Sequence, residues 1–292
     1  MAPTVVLITG CSSGIGLAEA LHLATKSKHD FKVYATVLKL SEKGDLESAA
    51  GEAVDKTLFI REVDVTKADT IQTLVDEIIR DNGRIDVVVN NAGITFMDDM
   101  FFGEPLASLD QAQAMMDVNL WGPAQVMKAV LPYMKKQKSG RIINTTSESG
   151  ITESPFIGFY GATKFALEGL SESLALVLRK TYNIRLIIFE PGTVMTPQVK
   201  AVLNAEFKPE YVSHSWDDGA RKKFAEFWEK DMSRLMKENQ QPEEIGPVIE
   251  EIILCDEPHL RYQSCDTITK RIARKVKDTT GDSAFKAFQS MQ

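Results

Sequence analysis

A doubly wound α/β domain is the fold class predicted by this chain of 292 residues, and three observations carry the prediction. Short apolar, β-branched runs alternate with helical patterns from residue 5 to residue 189, the rhythm of a sheet with helices on both faces. Runs such as Ile85 to Val89 are continuously apolar, as strands buried on both sides of a parallel sheet must be. The first run, Val5-Val6-Leu7-Ile8, enters the turn Thr9-Gly10-Cys11-Ser12-Ser13-Gly14-Ile15-Gly16 and leaves as a helix. That is how a parallel sheet offers backbone N–H groups and a positive helix end to an anion.

The elements follow in order. A helix is expected over about 15–27, a strand at Phe31 to Val37, a short helix at Leu46 to Ala53 and a strand at Thr57 to Val63. A helix from about Lys67 to Asn82 carries Ile71, Leu74, Val75, Ile78 and Ile79 on one face. After Ile85 to Val89 come a long helix at about 110–136, a strand at 141–146, a helix at about 159–181 and a strand at 184–189. Leu260 to Gln263 would complete a mainly parallel sheet of seven strands. The reading is therefore one domain over 1–292, with an irregular insertion at 197–241 and a tail at 265–292.

Composition narrows the function classes. With 43% hydrophobic and 26% charged residues the chain reads as an ordinary soluble globular protein. A net charge of -7 argues against nucleic acid and polyanionic partners. Cys11, Cys255 and Cys265 have no metal-ligand spacing, and three is an odd number, which fits a reduced, intracellular setting. The histidines at 22, 29, 214 and 259 are scattered and read as surface residues, so no metal is expected. No signal peptide or membrane span is evident. A cytoplasmic protein, peripheral to membranes at most, is the expectation.

Three glycines spaced G-x-x-x-G-x-G after a strand point to a dinucleotide. Further along, Tyr160 and Lys164 lie four apart at the start of a helix and share a face. A phenol is a poor acid or base near neutrality unless a neighbouring cation favours its anion, which a lysine or an oxidised nicotinamide can do. Ser147 stands just past a strand, where the carboxyl end of a parallel sheet faces the ligand crevice. Ser149 and Ser154 read as turn serines. Asn90-Asn91-Ala92-Gly93 closes another strand at that edge, and Asn119 interrupts the apolar helical segment Met115 to Trp121.

Taken together these residues resemble the short-chain dehydrogenase/reductase family from Val5 to about Thr196. The resemblance is carried by Gly10, Gly14 and Gly16, Asp64-Val65, Asn90 to Gly93, Asn119, Ser147, Tyr160, Lys164, and Pro191-Gly192 with Thr196. More narrowly, the opening Thr4 to Gly16, Lys164 to Ala175 and Leu260-Arg261-Tyr262 are similar to the branch holding 17β-hydroxysteroid and retinol dehydrogenases. The similarity fades over 197–241, the family's substrate loop.

What the resemblance implies is a Rossmann domain and an NAD(P)-dependent enzyme interconverting an alcohol and a carbonyl on a hydrophobic substrate, with steroid and retinoid level as substrate class. Other lipophilic carbonyls remain open. Tyr160 would be the general acid or base, Lys164 would lower its pKa and hold the nicotinamide ribose, and Ser147 would position the carbonyl. Asn119 would hold a water linking Lys164 to solvent. Cofactor contacts would come from Thr9, Gly10, Ser12, Ser13, Gly14, Ile15, Gly16, Thr36, Lys39, Asp64, Val65, Asn91, Ala92, Gly93, Tyr160, Lys164, Pro191, Gly192, Val194 and Thr196. A regulator that kept the fold without catalysis would not need all four of Asn119, Ser147, Tyr160 and Lys164. An epimerase or dehydratase would need a larger substrate domain than the chain after residue 197 offers.

No carboxylate closes the second strand in Tyr34-Ala35-Thr36-Val37-Leu38-Lys39, so nothing there would repel a 2′-phosphate. NADP(H) is favoured, with NAD(H) possible. Relatives place an arginine where Leu38 stands, which would leave Lys39 and Ser12 to share the phosphate. In the insertion, Phe224, Phe227, Trp228, Met232, Leu235 and Met236 recur at helical spacing. That helix could pack on the core, cover an apolar substrate or touch a membrane. The tail sets Lys270, Arg271, Arg274, Lys275 and Lys277 against Ile268, Ile272 and Val276. It reads as a solvated amphipathic helix, a membrane or partner contact being the alternative. Apolar residues on several faces of the 159–181 helix, with the family's habit, imply a homodimer.

Overall fold

A computed structural model of the chain describes residues 2–96, 109–152, 157–203 and 217–283. Side chains of 202–203 and of several positions in 220–236 also lie outside that description, including Phe224, Phe227, Trp228, Met232, Leu235 and Met236. So do Ser154 and His214.

The first strand, β1 (Thr4–Ile8), sets the plan of the molecule. Its alternation sends Val6 and Ile8 into one apolar cluster and Val5 and Leu7 into another. Both faces of the sheet are therefore buried. The remaining strands are β2 (Phe31–Val37), β3 (Leu58–Glu62), β4 (Val87–Asn90), β5 (Gly140–Thr145), β6 (Ile184–Glu190) and β7 (Arg261–Gln263). They pair in the order β3-β2-β1-β4-β5-β6-β7, and every pairing is parallel. The expected seven strands are present, and the sheet is parallel throughout. The order reverses between β1 and β4, which opens a crevice at their carboxyl ends.

Helices α1 (Gly14–Leu21), α2 (Gly44–Ala50), α3 (Ala68–Asn82), α4 (Leu109–Met116) and α5 (Gly122–Gln137) follow in chain order. After them come α6 (Gly158–Tyr182), α7 (Pro197–Leu203), α8 (Asp218–Lys237), α9 (Ile245–Leu254) and α10 (Asp266–Lys277). α1 and α9 cover one face with the Val6 cluster, whereas α3, α5 and α6 cover the other with Leu7. The insertion at 197–241 contains α7 and α8, so its helical spacing is realised as a helix.

One expectation is refined and another corrected. The long helix expected at 110–136 runs unbroken through α4 and α5, with a widened turn at Asp117–Trp121 between them that carries Asn119 inward. Widened turns of this kind accommodate an extra residue and gather at functional sites. His22, expected at the surface, is half-buried where α1 runs on, and its ring nitrogen lies 2.5 Å from Glu250 of α9. His29 and His259 are exposed as expected.

Candidate active site

The crevice between β1 and β4 is a cleft of about 700 Å³, and chain direction explains its lining. Gly10, Ser12, Ser13, Gly14 and Ile15 form one wall, and Asp64, Val65, Asn91, Ala92 and Gly93 continue it from the ends of β3 and β4. Ser147, Tyr160 and Lys164 close the far end, with Pro191, Gly192, Val194 and Thr196 after β6. Ile94, Val118, Ile157 and Val199 add apolar surface there.

The glycine turn is built by close contacts. Gly10 and Gly14 have φ of +73° and +60°, a region costly for any residue with a Cβ. Gly16 is required by space, since a Cβ there would lie 2.3 Å from Asn91 Nδ2 and 2.4 Å from the Gly10 carbonyl oxygen. Asn91 Nδ2 donates to the Thr9 and Gly10 carbonyls at 3.0 and 2.9 Å, tying the turn to β4. Ser13, which precedes α1, makes no side-chain cap, so the first-turn N–H groups of α1 remain available to an anion at the cleft wall. At Gly10, Gly14 and Gly16 the backbone leaves no place for a side chain, and the cradle fits a pyrophosphate.

Several residues expected to touch the cofactor stand behind the wall. Thr9 is buried, and its hydroxyl accepts from the backbone N–H groups of Asn91 and Ala92, each at 3.1 Å. Thr36 is buried and accepts from Gly10 N at 3.3 Å. Gly16 is packed beneath the turn, and Lys39 is exposed outside the cleft lining. These four shape or flank the site instead of lining it. Missing from the sequence reading was Glu42, which lines the cleft together with Leu38. β2 ends without a carboxylate, as expected, but the next turn supplies one to the same wall.

At the chemical end, α6 presents Tyr160 and Lys164 one turn apart. The Ser147 hydroxyl is hydrogen-bonded to the Tyr160 phenol. Ser147 is fixed in turn by accepting from Ser149 N at 3.1 Å, which gives Ser149 its place in the turn. Lys164 is buried, its Nζ donating to the Thr145 carbonyl at 3.0 Å and lying 5.5 Å from the centre of the Tyr160 ring. A Cβ on Gly93 would stand 3.6 Å from Nζ and 3.4 Å from Asn119 Oδ1, so the glycine opens the floor between them. Asn119 is fully buried, accepting from Ile94 N at 2.9 Å and donating to Ile94 O at 2.8 Å and to Thr163 Oγ1 at 3.1 Å. Its side chain links the loop after β4, α6 and the wide turn.

Electrostatics run against one expectation. Burial pushes the Tyr160 phenol up to about 12, with Ser147 pulling it down and the Glu148 charge pushing it further up. The nearby ammonium does not offset this loss of solvation. Burial also lowers Lys164 to about 8, against the charge of Glu168. Tyr160 therefore holds its proton near neutrality and can give it to an oxygen at the cleft floor, while Lys164 stays largely an ammonium.

Residues 4–206 match the model of the short chain dehydrogenase family. The chain belongs to that family. It is 36% identical over 292 residues to retinol dehydrogenase 8 of Bos taurus, covering 96% of this chain and 87% of that protein. It is 34% identical over 287 residues to human 17-beta-hydroxysteroid dehydrogenase type 1, covering 97% and 84%. A solved short-chain dehydrogenase from Streptomyces avermitilis superposes with a TM-score of 0.72 at 23% identity, covering 99% of this chain and all of the other. The family and fold expected from the sequence are both borne out, and the chain is an NAD(P)-dependent alcohol dehydrogenase or carbonyl reductase. Among the described residues, no helix is long and apolar enough to cross a membrane.

Proposed function

We propose that this dehydrogenase uses NADP(H), with NAD(H) possible, to interconvert a hydroxyl and a carbonyl on a hydrophobic molecule such as a steroid or a retinoid. The observation that carries the reading is the corner made by Tyr160, Ser147 and buried Lys164 at the end of a cleft that begins at the glycine turn. When bound, the nicotinamide supplies or accepts the hydride.

This chain's residues have the rest of the work. In reduction, Ser147 and Tyr160 donate hydrogen bonds to the carbonyl oxygen, and the Tyr160 proton passes to the developing alkoxide. In oxidation the phenolate takes the hydroxyl proton. Lys164 holds an ammonium beside the phenol and would help hold the nicotinamide ribose. Asn119, held by Ile94 and Thr163, fixes the wide turn beside Lys164, where a water can connect Nζ to solvent.

Support for a lipophilic substrate comes from apolar Ile94, Val118, Ile157 and Val199 near the chemical end, and from the names of the two relatives. NADP(H) is supported by the lack of a carboxylate at the end of β2, with Glu42 as the opposing feature. A homodimer also belongs to the reading. Phe165 and Leu176, half or more exposed, lie on one face of α6 about three turns apart, and exposed Trp121 adds apolar surface at the start of α5. The acidic chain and its free cysteines fit the cytoplasm. NADPH consumption across steroid ketones, retinals and small polar carbonyls tests the assignment. Turnover confined to the small polar carbonyls would overturn it.

A further inference from the structure

The segment Gly192 to Thr196 lies past the end of β6, outside the sheet, yet it lines the chemical end of the cleft. It reaches across to the glycine turn of β1, since a Cβ on Gly14 would lie 2.9 Å from Thr196 Cγ2. Just beyond it, Gln198 Nε2 donates to the Thr95 carbonyl at 3.1 Å, and both residues line the cleft. The segment is therefore a strap across the crevice. A stretch of chain outside the sheet keeps one conformation only if other bonds hold it.

Those bonds come from the far end of the insertion and from the C-terminal segment. The chain leaves the strap at Thr196 and returns at Gln240, whose N–H donates to the Thr193 carbonyl and whose carbonyl accepts from Met195 N, each at 2.9 Å. The Gln240 side chain continues the lock, with Nε2 donating to the Ser264 carbonyl at 3.2 Å and Oε1 accepting from the Ser264 hydroxyl. That hydroxyl in turn accepts from Gly192 N at 3.1 Å. Gln240 and Ser264 thus hold Gly192, Thr193 and Met195 by their backbones, and neither falls within the 4–206 stretch that matches the family. Two residues before Gln240, Glu238 accepts from Arg271 of α10 at 2.6 Å, so Arg271 is not part of the solvated face expected for the tail. α10 is seated by buried Ile268 and Ile272, and Ile268 packs on the strap, its Cδ1 lying 2.5 Å from where a Cβ on Gly192 would stand.

We propose that Gln240, with Ser264, is a positioning residue that holds the Gly192–Thr196 strap in the conformation that receives the nicotinamide half of the dinucleotide. The inference rests on the reading of Pro191 to Thr196 as cofactor contacts. A strap already fixed in place loses little freedom when the dinucleotide enters, whereas a loosened one must be ordered by the ligand and binds it more weakly. The effect is confined to one half of the ligand, because the strap stands at the Tyr160 end of the cleft. The close of the insertion therefore sets cofactor affinity as well as covering the cleft.

The test is fluorescence titration with NADPH beside adenosine 2′,5′-bisphosphate, which carries the adenosine half alone, together with hydrogen exchange of the strap amides in the free protein. Gln240→Leu and Ser264→Ala should each raise the NADPH dissociation constant by about fivefold or more and leave that of the bisphosphate within about twofold. Exchange at Gly192 to Met195 should quicken by about tenfold in both. Ser264→Thr, which keeps the hydroxyl, should restore affinity and protection. Gln137 is the matched control, a glutamine whose side chain clamps Ile85 N and O ahead of β4, away from the cleft. Gln137→Leu should lower the melting temperature without changing either dissociation constant. If Gln240→Leu fails to fold, Ser264→Ala decides. Equal weakening of NADPH and the bisphosphate would reduce the pair to a general structural clamp and overturn the inference. Unchanged NADPH affinity overturns it as well: with faster exchange it removes the strap from the cofactor contacts, and with unchanged exchange that reading stands and the inference alone falls.

Discussion

Replacing Glu19 by glutamine should stabilise this protein, increasingly so as pH rises. Glu19 is fully buried on α1, and among the described residues neither of its carboxyl oxygens has a hydrogen-bond partner. Burial pushes it from 4.5 up to about 8. Below about pH 4.5 the folded and unfolded chains both hold the proton, so this group does not favour either state. Between there and about pH 8 the unfolded chain releases the proton while the folded chain keeps it, so stability falls as pH rises. Above about 8 both are ionised and the loss levels off. The slope is about 1.4 kcal/mol per pH unit, which accumulates to about 3 kcal/mol by pH 7. Glutamine keeps the shape without the titration, so denaturant unfolding curves should nearly coincide at the acid end and separate toward neutrality. The melting temperature of Glu19→Gln should exceed wild type by about 5 °C at pH 7. Parallel stability profiles from pH 5 to 8 would mean that Glu19 ionises freely in the folded chain, and the burial argument would fail.

Other outcomes follow from the same geometry. Gly16→Ala, whose Cβ meets Asn91 and Gly10 inside bonding range, should weaken dinucleotide binding by about tenfold or more, read by NADPH fluorescence titration. Glu42→Gln should tighten NADP(H) severalfold and leave NAD(H) nearly unchanged. Equal effects on both would remove Glu42 from the phosphate end of the cleft. Because burial holds Lys164 near 8, cofactor affinity should decline as pH rises through that value, and the decline should vanish in Lys164→Met. Sedimentation should give a dimer that Phe165→Glu with Leu176→Glu dissociates, and a wild-type monomer would refute the interface on α6.

Much of this molecule is legible in the residues because its signals are local. A continuous β-branched run such as Val87 to Val89, bounded by Asp86 and Asn90-Asn91, suits a strand buried on both sides, and the glycine turn states its own geometry. Tyr160, Lys164 and Ser147 are legible because helix pitch and a strand end bring them together. What was not legible depends on contacts distant in sequence. The turn at Asp117–Trp121 widens because Asn119 reaches Ile94 and Thr163, and helical periodicity does not register that. Glu42 follows the strand by several residues, and only the fold turns it onto the cleft. Arg271 reads as one charge among five in a basic tail until α10 docks against Glu148, 123 positions away in sequence.

The central claim is that Tyr160 supplies and takes the proton while other groups bind the cofactor. Its most direct test is single-turnover kinetics of Tyr160→Phe beside wild type, with the cofactor dissociation constant measured on the same samples. The variant should bind NADP(H) as wild type does and lose hydride transfer by about a hundredfold or more. Near-wild-type transfer in Tyr160→Phe would contradict the account.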